Sequence, residues 1–477
     1  MSSNVLKPLS ISKVLATTLL LCIAQIGSSE TLLDVYRDAL KHDPSFAKSL
    51  AEWDIAISDK KIAKGSLRPS VDASARMNQT SRDYDNQAAA NGITLDDEFS
   101  EANWQISLIQ PIVDLPKWHE YKRSKTTFKM AESAKATDRQ ELIVRTVEAY
   151  LKVLHAKNLL RAVEGEEASV KQQLIEVQKR FDAGIIALTD VLEAQAVHDA
   201  TVIRRIQAES GKENAFENLR TLTSFSYQRI DDISVDLPML SPQPANEELW
   251  IERAFAHNPA IEKARQNLVS IEQRYKAVHS KRLPTVNAVL QHLNQDGAAD
   301  PALGSGYTET SIGLALNWNL YDGGKRSPML KKAKAEIAVA QAELRKIELE
   351  IDSKTRNKLR SLNSDVGRVD AGRVAIESAS TALRAVSAGY EAGNRGIIDL
   401  LQAQQRLYAA EYNFSEARHN YIRNLIHLKA SVGQLTEDYL RQVNAYCVGS
   451  EAVWRPSATK ENILRLPANS SQLNRLL

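Results

Sequence analysis

The sequence predicts a mainly α protein with a small β part, in which two internal repeats each supply a long coiled-coil hairpin and a pair of strands. Three observations carry this: apolar heptads inside uninterrupted helical stretches of 67 and 68 residues, four segments that alternate with period two, and motifs that return after about 210 residues. Composition agrees. Of 477 residues 43% are hydrophobic and 25% charged, so the chain is ordered and can bury a sizeable core; 19 glycines, 14 prolines and 6% aromatics suit long helices better than a turn-rich sandwich.

The first 29 residues read as a secretory signal. Lys7 and Lys13 precede the apolar run Val14 to Ala24, and Gly27, Ser28 and Ser29 form a small-residue exit. The run is too short to span about 30 Å of hydrocarbon. Cys22 follows three leucines, which does not suit lipid attachment. Without this leader, lysines and arginines balance the acids at 59 each. A neutral chain with no basic stripe argues against nucleic acid as a partner. Only Cys447 then remains, so the mature chain has neither an intrachain disulfide nor a multi-cysteine metal site.

Repetition sets the domain plan. Lys41-His42-Asp43-Pro44 returns as Ala256-His257-Asn258-Pro259, and Leu67-Arg68-Pro69-Ser70-Val71 as Arg282-Leu283-Pro284-Thr285-Val286. Arg180-Phe181-Asp182-Ala183-Gly184 with Thr189-Asp190 returns as Gly389-Tyr390-Glu391-Ala392-Gly393 with Ile398-Asp399. The expected division is a first repeat over 30–236, a second over 246–436, a proline-marked join between them, and a tail over 437–477. Within each repeat a short helix starts at Pro44 or Pro259, where a missing N–H costs nothing. Long hairpins follow over 117–224 and 325–434. Their seams are Ile143, Val147, Tyr150 and Leu154 in one, and Ile337, Ala340, Leu344, Ile347 and Ile351 in the other. Each long arm is about 100 Å as continuous helix, more than an ordinary globular core needs.

Strands are expected at about 70–80, 101–112, 285–293 and 307–318. Val71, Ala73, Ala75 and Met77 oppose Asp72, Ser74, Arg76 and Asn78; Ile312, Leu314, Leu316 and Trp318 oppose Ser311, Gly313, Ala315 and Asn317. One greasy face ending in tryptophan and one small or polar face is how a lipid-facing and lumen-facing wall is written. Four strands cannot close a membrane barrel, whose smallest forms use eight, so a barrel here requires several copies. The same pattern also fits a soluble four-stranded sheet capping a coiled coil.

No catalytic constellation is visible. The nine histidines are scattered, His119-Glu120 lacks the second histidine of a zinc-protease helix, and the glycine pairs lack the context of a phosphate loop. No metal and no cofactor is implied, and the chain is not expected to be an enzyme.

The duplicated hairpin motifs, together with Gln110-Pro111-Ile112-Val113-Asp114 and Asn319-Leu320-Tyr321-Asp322-Gly323-Gly324, resemble the TolC family of outer-membrane efflux and secretion ducts, from about Glu30 to Thr436. The resemblance implies a homotrimer in the outer membrane, with twelve strands sharing one β-barrel and twelve helices forming a periplasmic α-barrel tunnel. It implies a periplasmic adaptor and an inner-membrane transporter as partners, and drugs or secreted proteins as cargo. It also implies an entrance latch of Tyr390 and Arg395 against Thr189 and Asp190, and a constriction ring at Asp399. Two departures stand out. Gln402 follows Asp399 where the best-studied type has a second aspartate, so a trimer would present one ring of three carboxylates. Lys179 occupies an outer latch position that is a neutral amide in the type. Asp190 and Asp399 also suit helix starts, where a carboxylate meets free N–H groups. The competing reading of the whole chain is a periplasmic or surface-anchored coiled-coil scaffold without a pore.

Overall fold

A computed structural model describes residues 30–81, 98–234, 236–296 and 306–448. The expected leader, most of the two expected strand-connecting loops, and the end of the expected tail lie outside them. Helices α1 (Leu32–His42), α2 (Pro44–Gly65), α3 (Leu115–Asp182) and α4 (Leu188–Thr223) and strands β1 (Ser70–Ser81), β2 (Glu98–Val113) and β3 (Asp232–Ile233) come first. Then follow α5 (Glu247–His257), α6 (Pro259–Ser280), β4 (Thr285–Asp296), β5 (Gly306–Asn317), α7 (Arg326–Glu391), α8 (Ile397–Ser431), α9 (Glu437–Asn444) and β6 (Cys447–Val448). The chain divides into two compact units, one of residues 49–136 and 259–349, the other of the remaining segments.

The first unit holds a sheet in the order β1-β2-β4-β5, antiparallel throughout. Val71 pairs with Leu108, Leu108 with Leu290 and Leu290 with Ile312, so one face carries an apolar row across all four strands. Residues directly opposite one another share a face, and this one is bare: Met77 is 81% and Ile312 84% exposed. The register breaks only between Pro111 and Val113, where proline has no N–H for the ladder. Strands β1 and β5, each of 12 residues, are its outer edges.

The second unit contains the large core. The seam residues Ile143, Val147, Tyr150 and Leu154 of α3 are at most 1% exposed, and they meet Leu32, Val35, Tyr36 and Ala39 of α1, which recur at helical spacing. The seam expected in α7 lies mostly in the first unit, where Ala340 is buried and Ile337, Leu344 and Ile347 are partly covered. Thr31 and Asp34 close a capping box on α1, and Asn246 caps α5 by accepting from the N–H of Glu248 at 2.8 Å. The segment after Thr436, read as a tail, is folded as far as Val448. Tyr439, Leu440 and Val443 of α9 are buried, Asn444 accepts from the N–H of Leu33 at 2.9 Å, and β6 pairs with β3. An eight-residue helix makes barely two turns, too few for its period to show.

Both repeats place a polar residue before the proline, with different partners. Asp43, 3% exposed, accepts from the N–H of Phe46 at 2.7 Å and takes both guanidinium arms of Arg145 at 2.8 and 2.9 Å. Asn258 instead donates to the carbonyl of Ser431 at 2.7 Å. Nearby, Gly433 has φ +71°, and a Cβ there would lie 2.2 Å from the carbonyl oxygen of His257, so only glycine fits. Burial alone would raise the Asp43 carboxyl, but Arg145 and the backbone N–H groups of Phe46 and Ser45 outweigh it and hold it below its usual range. A lowered carboxylate pKa adds stability that is full above the unfolded value of about 3.9 and lost as pH falls through the folded one. Arg145→Ala should therefore cost about 3 kcal/mol, the low end for one partner of a buried pair, because Arg145 keeps 33% of its side chain in water. Urea unfolding at pH 7 and pH 3 checks both parts: the gap between variant and parent should shrink in acid.

Candidate entrance at the hairpin ends

The two long hairpins turn in the same way, for a reason visible in the backbone. At the end of α3 the N–H of Gly184 bonds the carbonyl of Phe181 at 2.8 Å and that of Ile185 bonds Arg180 at 2.9 Å. At the end of α7 Gly393 bonds Tyr390 at 3.0 Å and Asn394 bonds Gly389 at 2.8 Å. This paired closure needs a left-handed residue, and the glycines supply it at φ +74° and +73°. The returning helices α4 and α8 start without a side-chain cap at Ala187 and Gly396. Asp190 and Asp399 fall in their first turns, where a carboxylate suits the helix dipole.

A small apolar cluster of Val170, Val177, Val191, Ala194, Ile397, Leu400 and Leu401 joins the ends of the hairpins, with Phe181 and Tyr390 packed against it. Polar rungs continue alongside it between α3 and α8. Gln173 donates to Gln404 at 2.6 Å, and Gln404 in turn donates to Ser169.

The expected site residues surround this cluster. Tyr390 is half-buried and lies under the guanidinium of Arg180, 4.8 Å from its ring centre. Burial pushes its phenol above the ordinary range; Arg180 opposes that, while Glu176 and Asp190 add to it. Arg395 pairs with Asp399 at 3.7 Å, one turn along. The stem of Arg395 folds over Gly389, where an added Cβ would sit 2.9 Å from its Cγ. Thr189, Lys179 and Gln402 are exposed, and Gln402 accepts from Arg406 at 3.5 Å.

Within the chain the structure brings Tyr390 under Arg180 and Arg395 onto Asp399. Among the described residues no hydrogen bond or ion pair joins Arg395 to Thr189 or Asp190. Sequence reasoning missed Arg180, although it stands in the repeated motif. Its ion pair with Glu176 at 2.6 Å positions it, and that four-residue spacing was legible.

This geometry is a set of weak polar links around a small apolar cluster at the hairpin ends. Among the described residues no helix is long and apolar enough to cross a membrane. The profile of the outer membrane efflux protein family matches residues 35–224 and 250–434, one stretch in each repeat. The chain belongs to that family. It is 28% identical over 448 residues to outer membrane protein TolC of Vibrio cholerae, covering 92% of this chain and 98% of the relative. It is 23% identical to the proteases secretion protein PrtF of Dickeya chrysanthemi, covering 91% and 94%. Its fold matches the outer membrane protein VceC of Vibrio cholerae with a TM-score of 0.73 at 16% identity, over 84% of this chain and 96% of that one. The CmeC outer membrane channel of Campylobacter jejuni gives 0.72 at 18%, over 88% and 93%.

Replacing either turn glycine by alanine should cost about 1 kcal/mol, because a left-handed backbone strains a Cβ. Hydrogen exchange at the amides of Ile185 and Asn394 should speed up in Gly184→Ala and Gly393→Ala respectively, with the amides of the large core unchanged.

Proposed function

We propose that three copies of this chain form a passive exit duct through the outer membrane, serving drug efflux or type I secretion, with a periplasmic entrance that an adaptor and an inner-membrane transporter open. The observation that carries this is the sheet. Its two 12-residue edges have no partner among the described residues, and its apolar face is bare. In lipid an open edge leaves N–H and C=O groups unmade, so the edges must be joined. The strands alternate strictly in direction, so β5 of one copy meets β1 of the next antiparallel, as every internal pair already does. Twelve residues at about 3.4 Å each, tilted by about 45°, cover the roughly 30 Å of hydrocarbon. The wall has no catalytic role.

At the hairpin ends Tyr390 and Arg395 hold the inner hairpin to Thr189 and Asp190, the links forming across hairpins as the copies assemble. Exposed links of this kind contribute about 0.2–1 kcal/mol each. Several in each of three copies close the entrance, yet a docked partner can release them. Lys179, exposed at the first hairpin end, sets a different outer contact. Asp399 and Gln402 form the constriction, with one carboxylate per chain and Arg395 beside it.

Single-channel recording tests the duct and the latch. The purified protein should conduct in a planar bilayer, and Tyr390→Phe with Arg395→Ser should raise its conductance; no conductance at all removes the duct, and an unaltered value removes the latch. Multivalent-cation block addresses the ring. Asp399→Ala should abolish it, whereas Arg395→Ser alone should strengthen it by freeing the carboxylate from its neighbour 3.7 Å away.

A further inference from the structure

Charge on this nearly neutral chain is concentrated in one place. The four segments flanking the sheet at one end are 59–68, 114–129, 272–282 and 322–334. They hold eighteen lysines and arginines against five acids, while the whole chain has 61 against 59. The register puts these segments at the same end: Ser70 lies opposite Ile109, Val286 opposite Val113, and Thr285 opposite Asn317. Some of the charge is neutralised locally. Lys117 pairs with Asp114 at 3.4 Å, Arg123 with Glu120 at 2.6 Å, and Arg326 with Asp322 at 3.6 Å. Lys64, Arg68, Lys281 and Lys325 are exposed, and among the described residues no carboxylate lies within ion-pair distance of them.

Aromatic rings stand among these charges. Trp118 is 44%, Trp318 54% and Tyr321 82% exposed. Lys122 lies 5.4 Å from the Trp118 ring centre and Lys125 4.6 Å from that of Tyr121. Trp318 donates its indole N–H to the carbonyl of Arg282 at 3.0 Å, fixing the ring beside the basic end of α6. Indole and phenol rings settle at the boundary between hydrocarbon and headgroups. The cations around them are therefore held at the depth of lipid phosphates.

We infer that this basic and aromatic collar binds anionic phospholipid headgroups of the leaflet that faces the helices, with Lys64, Arg68, Lys281 and Lys325 as headgroup contacts. The inference rests on the sheet lying in the bilayer as proposed above. A bare apolar face next to the collar, continuous with the strands that carry it, is what selects lipid over a soluble polyanion. The collar sets the depth of the barrel, because it resists both sinking into hydrocarbon and lifting away from the phosphates.

The test uses the full protein in nanodiscs of equimolar phosphatidylglycerol and phosphatidylcholine, counting the lipids released with it by native mass spectrometry. The parent should retain phosphatidylglycerol over phosphatidylcholine. The variant carrying Lys64→Gln, Arg68→Gln, Lys281→Gln and Lys325→Gln should lose at least about fivefold of that preference, the contribution of one basic side chain near an anionic leaflet. A control carrying Lys152→Gln, Lys171→Gln and Lys354→Gln should keep it. Equal retention of both lipids by the parent, or equal loss in both variants, overturns the proposal. So does a collar variant that keeps its lipid preference but no longer co-sediments with purified peptidoglycan, which makes the cell-wall polymer the occupant. Conductance of the collar variant is recorded in neutral bilayers: a variant that conducts without a lipid preference leaves the duct standing, and a parent that never conducts removes the duct itself.

Discussion

Hydrogen bonds that one chain cannot make at β1 and β5 govern the rest of the design. Each edge presents a row of N–H and C=O groups, and inside hydrocarbon no water replaces a missing partner. A soluble sheet could cover such edges with charge or a loop. In the proposed duct they are joined to another copy. The even number of strands and their strict alternation let one copy repeat around a ring without a change of direction, which is the condition for a closed head-to-tail assembly.

The duplication supplies near-symmetry, and the differences between the halves show where the copies have diverged. Ser224 and Gly433 occupy equivalent left-handed positions at φ +60° and +71°. Only the glycine is pressed against another backbone, that of His257. The residues before the two prolines bond differently: Asp43 pairs with Arg145, whereas Asn258 donates its amide N–H to the carbonyl of Ser431. At the hairpin ends the two glycine closures are the same, yet Phe181 and Tyr390 differ by one hydroxyl. That hydroxyl can join a polar link, and it belongs to the half whose end also carries Arg395 and Asp399.

Large and small energies are separated along the chain. The main core buries Trp250, Tyr36 and Tyr150 almost completely, and each such ring contributes far more than a surface link. The hairpin ends hold together through a small valine and leucine cluster, a stacked arginine and an ion pair at 3.7 Å. The proposed entrance, which would open without unfolding the molecule, needs this contrast, since regions that move come from the low-stability end of a structure.

Much of this was legible in the sequence because it rests on local rules. Heptad spacing gave the buried seam of α3, alternation gave the strand faces, and a repeated glycine marked each hairpin turn. The position of Asp190 and Asp399 in first turns followed from the same motif. What surrounds Tyr390 was not legible, since whether a phenol meets a carboxylate or a guanidinium depends on how two hairpins settle against each other. Arg395 shows the same limit: sequence placed it at the hairpin end, and the structure gave it Asp399 on its own helix. The segment after Thr436 was hidden because two turns of helix carry too little periodicity. By itself the sequence determined the long hairpins, the four strands of the larger sheet and the faces of those strands, which are set by spacing along one chain. Only the tertiary structure decided which charges are paired, which edges stay open and which cap bears an arginine, because those depend on groups brought together from distant parts of the chain.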